Sequence, residues 1–295
     1  METDFKNGKE LLQLCQEQNC TISEAMKRRE WAQGELEPEE GMRRMRKVLK
    51  IMKESCRTPL QVPRKSVGGL IGGEARKLNR LREEGKSLCG GMLNRAAAYA
   101  MATLEVNASM GLIVAAPTAG ASGVVPGVLL AMQDVYGLSD AQLTEGLFNA
   151  GAIGYLAMRN ATVAGAVGGC QAEVGVASAM AASAAVQLMG GSPGQCLEAA
   201  SAALMHMLGL VCDPIGGLVE CPCQGRNAAG AANALTAAEL ALAGIRQPIP
   251  FDEMLGVMYA TGRKLPPELR ETAMGGCAAA PSGCRYAKSM GLPCP

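Results

Sequence analysis

The chain has 295 residues, with 28 basic and 27 acidic side chains. A net charge of +1 supplies no drive toward nucleic acid or an anionic membrane, and 3% aromatics leave few platforms for stacking bases. The length supports a sizeable core in one large domain or two smaller ones. The opening residues, Met1-Glu2-Thr3-Asp4-Phe5-Lys6, are polar and lack the apolar run of a secretion signal, so a cytoplasmic location is expected. Twelve cysteines then point to metal or cluster binding rather than to disulfides. Cys15, Cys20, Cys56, Cys89 and Cys196 lie in helical patterns and read as small buried hydrophobes.

Taken in chain order, the pattern is helical nearly throughout, and no run alternates apolar and polar residues as a half-buried strand would. Thr21 and Glu24 form a capping box for a short helix. Pro38 suits the first turn of a charged amphipathic helix reaching about Cys56, with Met42, Met45, Val48, Leu49 and Met52 as its apolar stripe. Further helices are predicted over 74–84, 91–110, 124–136, 140–160, 172–189, 193–210, 226–245, 251–264 and 267–274. Ser139 with Gln142, and Ser192 before Pro193, mark two of the starts. Two stretches without charge, Val106 to Gln133 and Val174 to Leu197, have the length of membrane spans. Pro117 and Pro126 interrupt the first, Ala, Ser and Met dominate the second, and neither has an aromatic belt. They fit close-packed soluble helices with small residues at their contacts. The expected fold is all-α: a compact multi-helix catalytic domain with short Gly-rich loops. Composition shifts near residue 60, from ordinary and charged to Ala- and Gly-rich. This suggests a peripheral helical segment over 1–60 and a catalytic body over 61–295, as separate units or joined in a single domain.

Three cysteines sit in turns broken by glycine or proline: Cys170 after Gly168-Gly169, Cys212 before Pro214, and Cys223 after Pro222. Helix ends offer free amides that stabilise thiolate or sulfide. Three thiolates can hold an iron–sulfur cluster and leave one iron open to act as a Lewis acid. The spacing C-x41-C-x10-C is not the compact ferredoxin run, so the residues alone leave three readings open. These are a cluster, a zinc site using Cys221, Cys223 and the only histidine, His206, or three buried thiols. Two Gly-rich turns that feed helices could cradle a carboxylate: Ala116 to Gly123, with Thr118 and Ser122 as hydroxyl donors, and Arg64 to Glu74, with Lys65 and Ser66 beside Gly68 and Gly69. Glu173, three residues after Cys170, reads as a base or as a carboxylate supporting a ligand.

Several long motifs, in order, carry a family resemblance: S-V-G-G-L-I-G-G-E-A, A-P-T-A-G-A-S-G-V-V-P-G, G-G-C-Q-A-E-V-G-V-A-S-A-M-A, G-L-V-C-D-P-I-G-G-L-V-E-C-P-C-Q-G-R-N-A and R-E-T-A-M-G-G-C-A-A-A-P-S-G. Together they resemble the α chain of the bacterial iron–sulfur-dependent L-serine dehydratases (L-serine ammonia-lyases), over essentially the whole chain. The resemblance implies an all-helical body, a [4Fe–4S] cluster on Cys170, Cys212 and Cys223, L-serine as substrate and a separate β subunit as partner. Cys221 stands where that family usually has an apolar residue, so the ligand is assigned to Cys223.

On that basis an open iron would assist departure of the serine hydroxyl, and a base would take the α-proton. Thr118, Ala119, Gly120 and Ser122, with Ser66, Gly68 and Gly69, are the expected anchors for substrate carboxylate and amine; Lys65, Ser66 and Glu173 are the candidate bases. An exposed iron implies oxygen sensitivity. Cys294, near the C-terminus, is a candidate temporary fourth ligand, with Cys277 and Cys284 as rivals. Competing expectations are a cluster-dependent lyase for L-cysteine or L-threonine, and a non-catalytic helical scaffold stabilised by metal.

Overall fold

Capping chemistry and small-residue faces set the architecture. The computed structural model describes residues 3–34, 37–292 and 294–295. Its helices are α1 (Gly8–Glu17), α2 (Ile22–Gln33), α3 (Pro38–Gln61), α4 (Glu74–Glu83), α5 (Gly90–Ala108), α6 (Val124–Tyr136), α7 (Asp140–Asn160), α8 (Gly165–Gly168), α9 (Val176–Leu188), α10 (Pro193–His206), α11 (Cys223–Leu242), α12 (Phe251–Lys264), α13 (Gly276–Ala279) and α14 (Pro281–Ser289). No strand longer than an isolated bridge occurs among the described residues, so the fold is all-α. Capping boxes start α2, α7 and α10, at Thr21/Glu24, Ser139/Gln142 and Ser192/Gln195. Among the described residues no helix is long and apolar enough to cross a membrane.

At the centre lies α9, whose residues Val176 to Val186 are all buried. A helix apolar all round belongs in the interior, and α9 packs on α6, α7, α10 and α11. Alanine and glycine let these helices approach closely. A Cβ at Gly230 of α11 would lie 2.7 Å from Val174 and 3.0 Å from Val124. The amphipathic α3 turns Leu49, Met52 and Cys56 into the core, with Met42, Met45 and Val48 packed against them.

Several predicted boundaries move. The α3 helix continues past Cys56 to Gln61, through Pro59. A π-helical turn, Gln171–Gly175, precedes α9. The expected 193–210 helix ends at His206, and the expected 226–245 helix starts earlier, at Cys223. Helices α8, α13 and α14 were not expected, and α1 occupies a stretch read as helical around Cys15 without assigned bounds. The expected helix over 267–274 is instead one 3-10 turn, Pro267–Leu269, followed by irregular chain. The cause is a long-range pairing. The Cys212 amide donates to Leu269 O at 2.9 Å, and the Glu271 amide donates to Cys212 O at 2.7 Å. These bonds, with Glu271 at φ 64°, remove the backbone from helical geometry.

Candidate cluster and active site

Each of the three cysteines is held by contacts to a different part of the chain. Cys170 opens the π-turn before α9. The next residue, Gln171, anchors that turn: its amide donates to Leu210 O (3.0 Å), its side-chain oxygen accepts the Gly209 amide (2.8 Å), and its Nε2 donates to Met258 O (3.1 Å). Cys212 is fixed by the bridge to 269–271. Cys223 begins α11, and its carbonyl accepts Asn227 Nδ2 at 2.9 Å. The same Nδ2 reaches Gly120 O (2.8 Å), and Asn227 Oδ1 accepts the Gly123 amide (3.0 Å). Asn227 thereby ties the 118–123 turn to the Cys223 end of α11.

Cys170, Cys212 and Cys223 all line one cavity of about 260 Å³, together with Thr118, Ala119, Gly120, Glu173 and Glu271. Ligand atoms of Cys170, Glu173 and Cys212 lie within 4.8 Å of one another. The neighbouring Cys212 thiol holds the Cys170 thiol below its ordinary range, and the same contact, with burial, raises that of Cys212. Burial raises Cys223. Arg226 supplies positive charge, its Nη1 lying 3.7 Å from Cys170 Sγ, 2.8 Å from Val211 O and 2.6 Å from Asp213. Asp213 also accepts the Cys277 amide at 2.6 Å. Three soft sulfur donors line one space beside a partly buried guanidinium, and that donor set fits an iron–sulfur cluster.

Glu173 is nearly buried. Its Oε1 accepts Thr118 Oγ1 at 2.7 Å, and its Oε2 lies 3.9 Å from Cys212 Sγ. A Cβ at Gly165 would meet Oε2 at 2.5 Å, so glycine there makes room for the carboxylate. Burial first, then the nearby Glu271, push its pKa up; the hydrogen bonds from Thr118 and Cys212 only partly offset this.

The other predicted site residues divide. Thr118, Ala119 and Gly120 face the cavity, and among the described residues the Ala119 and Gly120 amides have no protein acceptor. Ser122 is buried beside them without lining the cavity, and its Oγ has no partner among the described residues. Lys65, Ser66, Gly68 and Gly69 lie outside the cavity lining. Ser66 donates to Glu220 at 2.6 Å and accepts the Gly69 and Ile71 amides, and Lys65 is exposed. His206 is exposed at the end of α10, bonded to Asn233, and joins no cysteine group. Cys284 and Cys294 form a disulfide, contrary to the expectation of none, and neither they nor Cys277 line the cavity.

Sequence reasoning missed Asp213, Glu220, Arg226 and Glu271. A signal for the first three was present: between Glu198 and Glu239 they are the only Asp, Glu, Lys or Arg residues. Isolated charges in an Ala- and Gly-rich stretch are expensive to bury without a partner, and here each has one.

A family model described as serine dehydratase alpha chain matches residues 17–278. The chain is 46% identical over 286 residues to the probable L-serine dehydratase, alpha chain, of Bacillus subtilis (strain 168), covering 97% of this chain and 95% of that one. It is 41% identical over 279 residues to the L-serine dehydratase, alpha chain, of Peptoniphilus asaccharolyticus, covering 95% and 96%. The L-serine dehydratase TdcG of Escherichia coli (strain K12) is 36% identical over 289 residues, which are 93% of this chain but 62% of that longer protein. With the family model spanning most of its length, the chain belongs to the serine dehydratase alpha chain family.

Proposed function

We propose that this chain is the α subunit of an L-serine ammonia-lyase that converts L-serine to pyruvate and ammonia. The observation that carries the reading is the convergence of Cys170, Cys212, Cys223 and Glu173 on one cavity floored by the free amides of Ala119 and Gly120. Cys170, Cys212 and Cys223 would hold a [4Fe–4S] cluster. When bound, that group would supply Lewis acidity for the leaving hydroxyl. The Ala119 and Gly120 amides, at the head of the 3-10 turn Ala119–Ala121, receive the substrate carboxylate. Glu271 offers a counter-charge for the ammonium group.

Glu173 takes the α-proton. Its raised pKa makes it a stronger base than an ordinary carboxylate, and Thr118 fixes its orientation. Glu173 takes the α-proton and returns it to the departing β-hydroxyl, which leaves as water, and aminoacrylate remains. Tautomerisation to the imine and hydrolysis by one water give pyruvate and ammonia. Lys65 and Ser66 are weaker candidates for the base, because neither faces the cavity. The partner is a separate β chain, as the α-chain names of two relatives imply for those proteins.

The test is anaerobic reconstitution with iron and sulfide, with and without the β chain, followed by a serine-to-pyruvate assay with L-cysteine and L-threonine as competitors. Cys212→Ser should lose both the broad visible absorbance and turnover. Full turnover in a colourless Cys212→Ser protein refutes the cluster mechanism.

A further inference from the structure

Glu220 is buried, yet the proposed chemistry does not use it. Its carboxylate collects three donors from one loop: Ser66 Oγ (2.6 Å) and the Leu70 amide (2.9 Å) on Oε2, and the Gly68 amide (2.6 Å) on Oε1. Ser66 Oγ itself accepts the Gly69 and Ile71 amides at 3.1 and 3.3 Å, so the loop closes on its own hydroxyl. Gly68 has to lack a side chain, because a Cβ there would lie 2.8 Å from Glu220 Oε1 and 2.5 Å from Leu218. Neighbouring amides turned toward one anion form a nest, and hydrogen bonds to an ionised group are the short, strong kind. The loop is therefore a carboxylate cradle, and its occupant belongs to the chain itself. The same residue is fixed to the cysteine segment: the Glu220 amide donates to Leu218 O (2.7 Å), and its carbonyl accepts the Gln224 amide (2.9 Å) in the first turn of α11. Cys223 lies between these anchor points.

We infer that Glu220 is a positioning residue: its carboxylate fills the Ser66–Leu70 cradle and so clamps the head of α11, with Cys223, against the cavity. Two consequences follow from the chemistry. The cradle is closed to a substrate carboxylate while Glu220 holds it, which leaves the Ala119–Gly120 amides for substrate. A free carboxylate small enough to enter should stand in for the missing side chain when Glu220 is shortened.

The experiment uses Glu220→Ala and formate. In the cluster-free protein, amide exchange at Gly68 and Leu70 should quicken by about tenfold, the scale of one lost charge-assisted hydrogen bond, and slow again in excess formate. Wild-type exchange should ignore formate. Ser66→Ala, which keeps Glu220, should quicken exchange less and show no formate response. After anaerobic reconstitution, Glu220→Ala should lose visible absorbance per chain and about tenfold in kcat at saturating serine, with a smaller change in KM, and formate should recover part of both losses. The kinetic arm rests on the dehydratase reading; the exchange arm does not, so failure of one is separable from failure of the other. A folded Glu220→Ala protein with wild-type exchange at Gly68 and Leu70, or with exchange indifferent to formate, overturns the inference. Native absorbance and kcat in that variant do so as well. Should Glu220→Ala not fold, Glu220→Gln keeps the volume and one acceptor oxygen; wild-type exchange and absorbance in that protein overturn it equally.

Discussion

Glu173 sits in a slot where the absence of two side chains matters as much as the presence of its own. A Cβ at Gly165 would meet its Oε2 at 2.5 Å, and one at Gly120 would meet its Oε1 at 3.2 Å. Buried beside Glu271, the carboxylate holds its proton more tightly than it would in water, which suits a group that must accept one. Glu173→Gln keeps the shape and the Thr118 contact but cannot take a proton. Anaerobic assays of that variant should show kcat lower by about 10²–10⁴-fold, the range for a positioned general base. Its visible absorbance should stay native, because all three cysteines remain. A variant that keeps most of its kcat would move the base elsewhere. Gly165→Ala makes the complementary test: its methyl group would push Glu173 away from Thr118, and kcat should fall without loss of either carboxylate.

Between helices, two nodes show how the small-residue packing is set. Asp134 of α6 bonds Arg95 Nη1 (2.9 Å) and Tyr99 Oη (2.5 Å) of α5, and Arg57 Nη2 (3.0 Å) of α3. Burial alone would raise its pKa, but the Tyr99 and Arg95 hydrogen bonds and the Arg57 charge outweigh burial and lower it. A carboxylate with a depressed folded pKa contributes stability above its unfolded value, near 3.9, and loses it as pH falls through the folded value. Asp134→Asn should therefore cost about 1–2 kcal/mol at neutral pH, the low end for bonds to a charged group because Arg57 is partly exposed. In urea titrations the gap to wild type should shrink below about pH 4. A gap independent of pH would mean that shape, not charge, holds the node. At the second node, a Cβ on Gly123 would lie 2.2 Å from Ala100 O of α5, against rigid backbone. Gly123→Ala should destabilise by about 1–3 kcal/mol in the same titration, as overpacking does.

Elements with local signals were readable. The capping boxes at Thr21, Ser139 and Ser192 start helices where expected, because their bonds lie within four residues. The 267–274 segment misled because its backbone answers to Cys212, more than fifty residues away. Ser66 and Glu220 are 154 residues apart, and no local pattern announces that pairing. Of the candidate site residues, the cysteines and the Thr118 turn that line the cavity could be picked out because chemistry restricts their residue types. Arg226 and Asp213 were not, since a charged pair declares its partner only in three dimensions.

Across the whole molecule, the change in composition near residue 60 tracks exposure more closely than it tracks any break in the core. Phe5, Leu11, Ile22, Leu49 and Cys56 are buried in the same continuous core as α7, α9 and α10. Polar contacts cross the proposed boundary as well. Asp252 of α12 accepts the Gly8 and Lys9 amides at the head of α1, at 2.6 and 3.0 Å. Glu145 of α7 accepts Ser23 Oγ and Lys27 Nζ, each at 2.7 Å. The charges that colour the first sixty residues face outward on α3, as in the Glu40–Arg43 and Glu40–Arg44 pairs. Removing these helices would uncover the apolar faces of α7 and α12 and strand the carboxylates of Glu145 and Asp252. A single cooperative heat-capacity peak is therefore expected for the intact chain. Deleting residues 1–60 should abolish that peak and leave a chain that aggregates, because exposed core surface of this extent drives association. A truncated protein that stays monomeric and melts cooperatively near the intact chain's temperature would instead establish 61–295 as an independent domain, with the first three helices as an appendage.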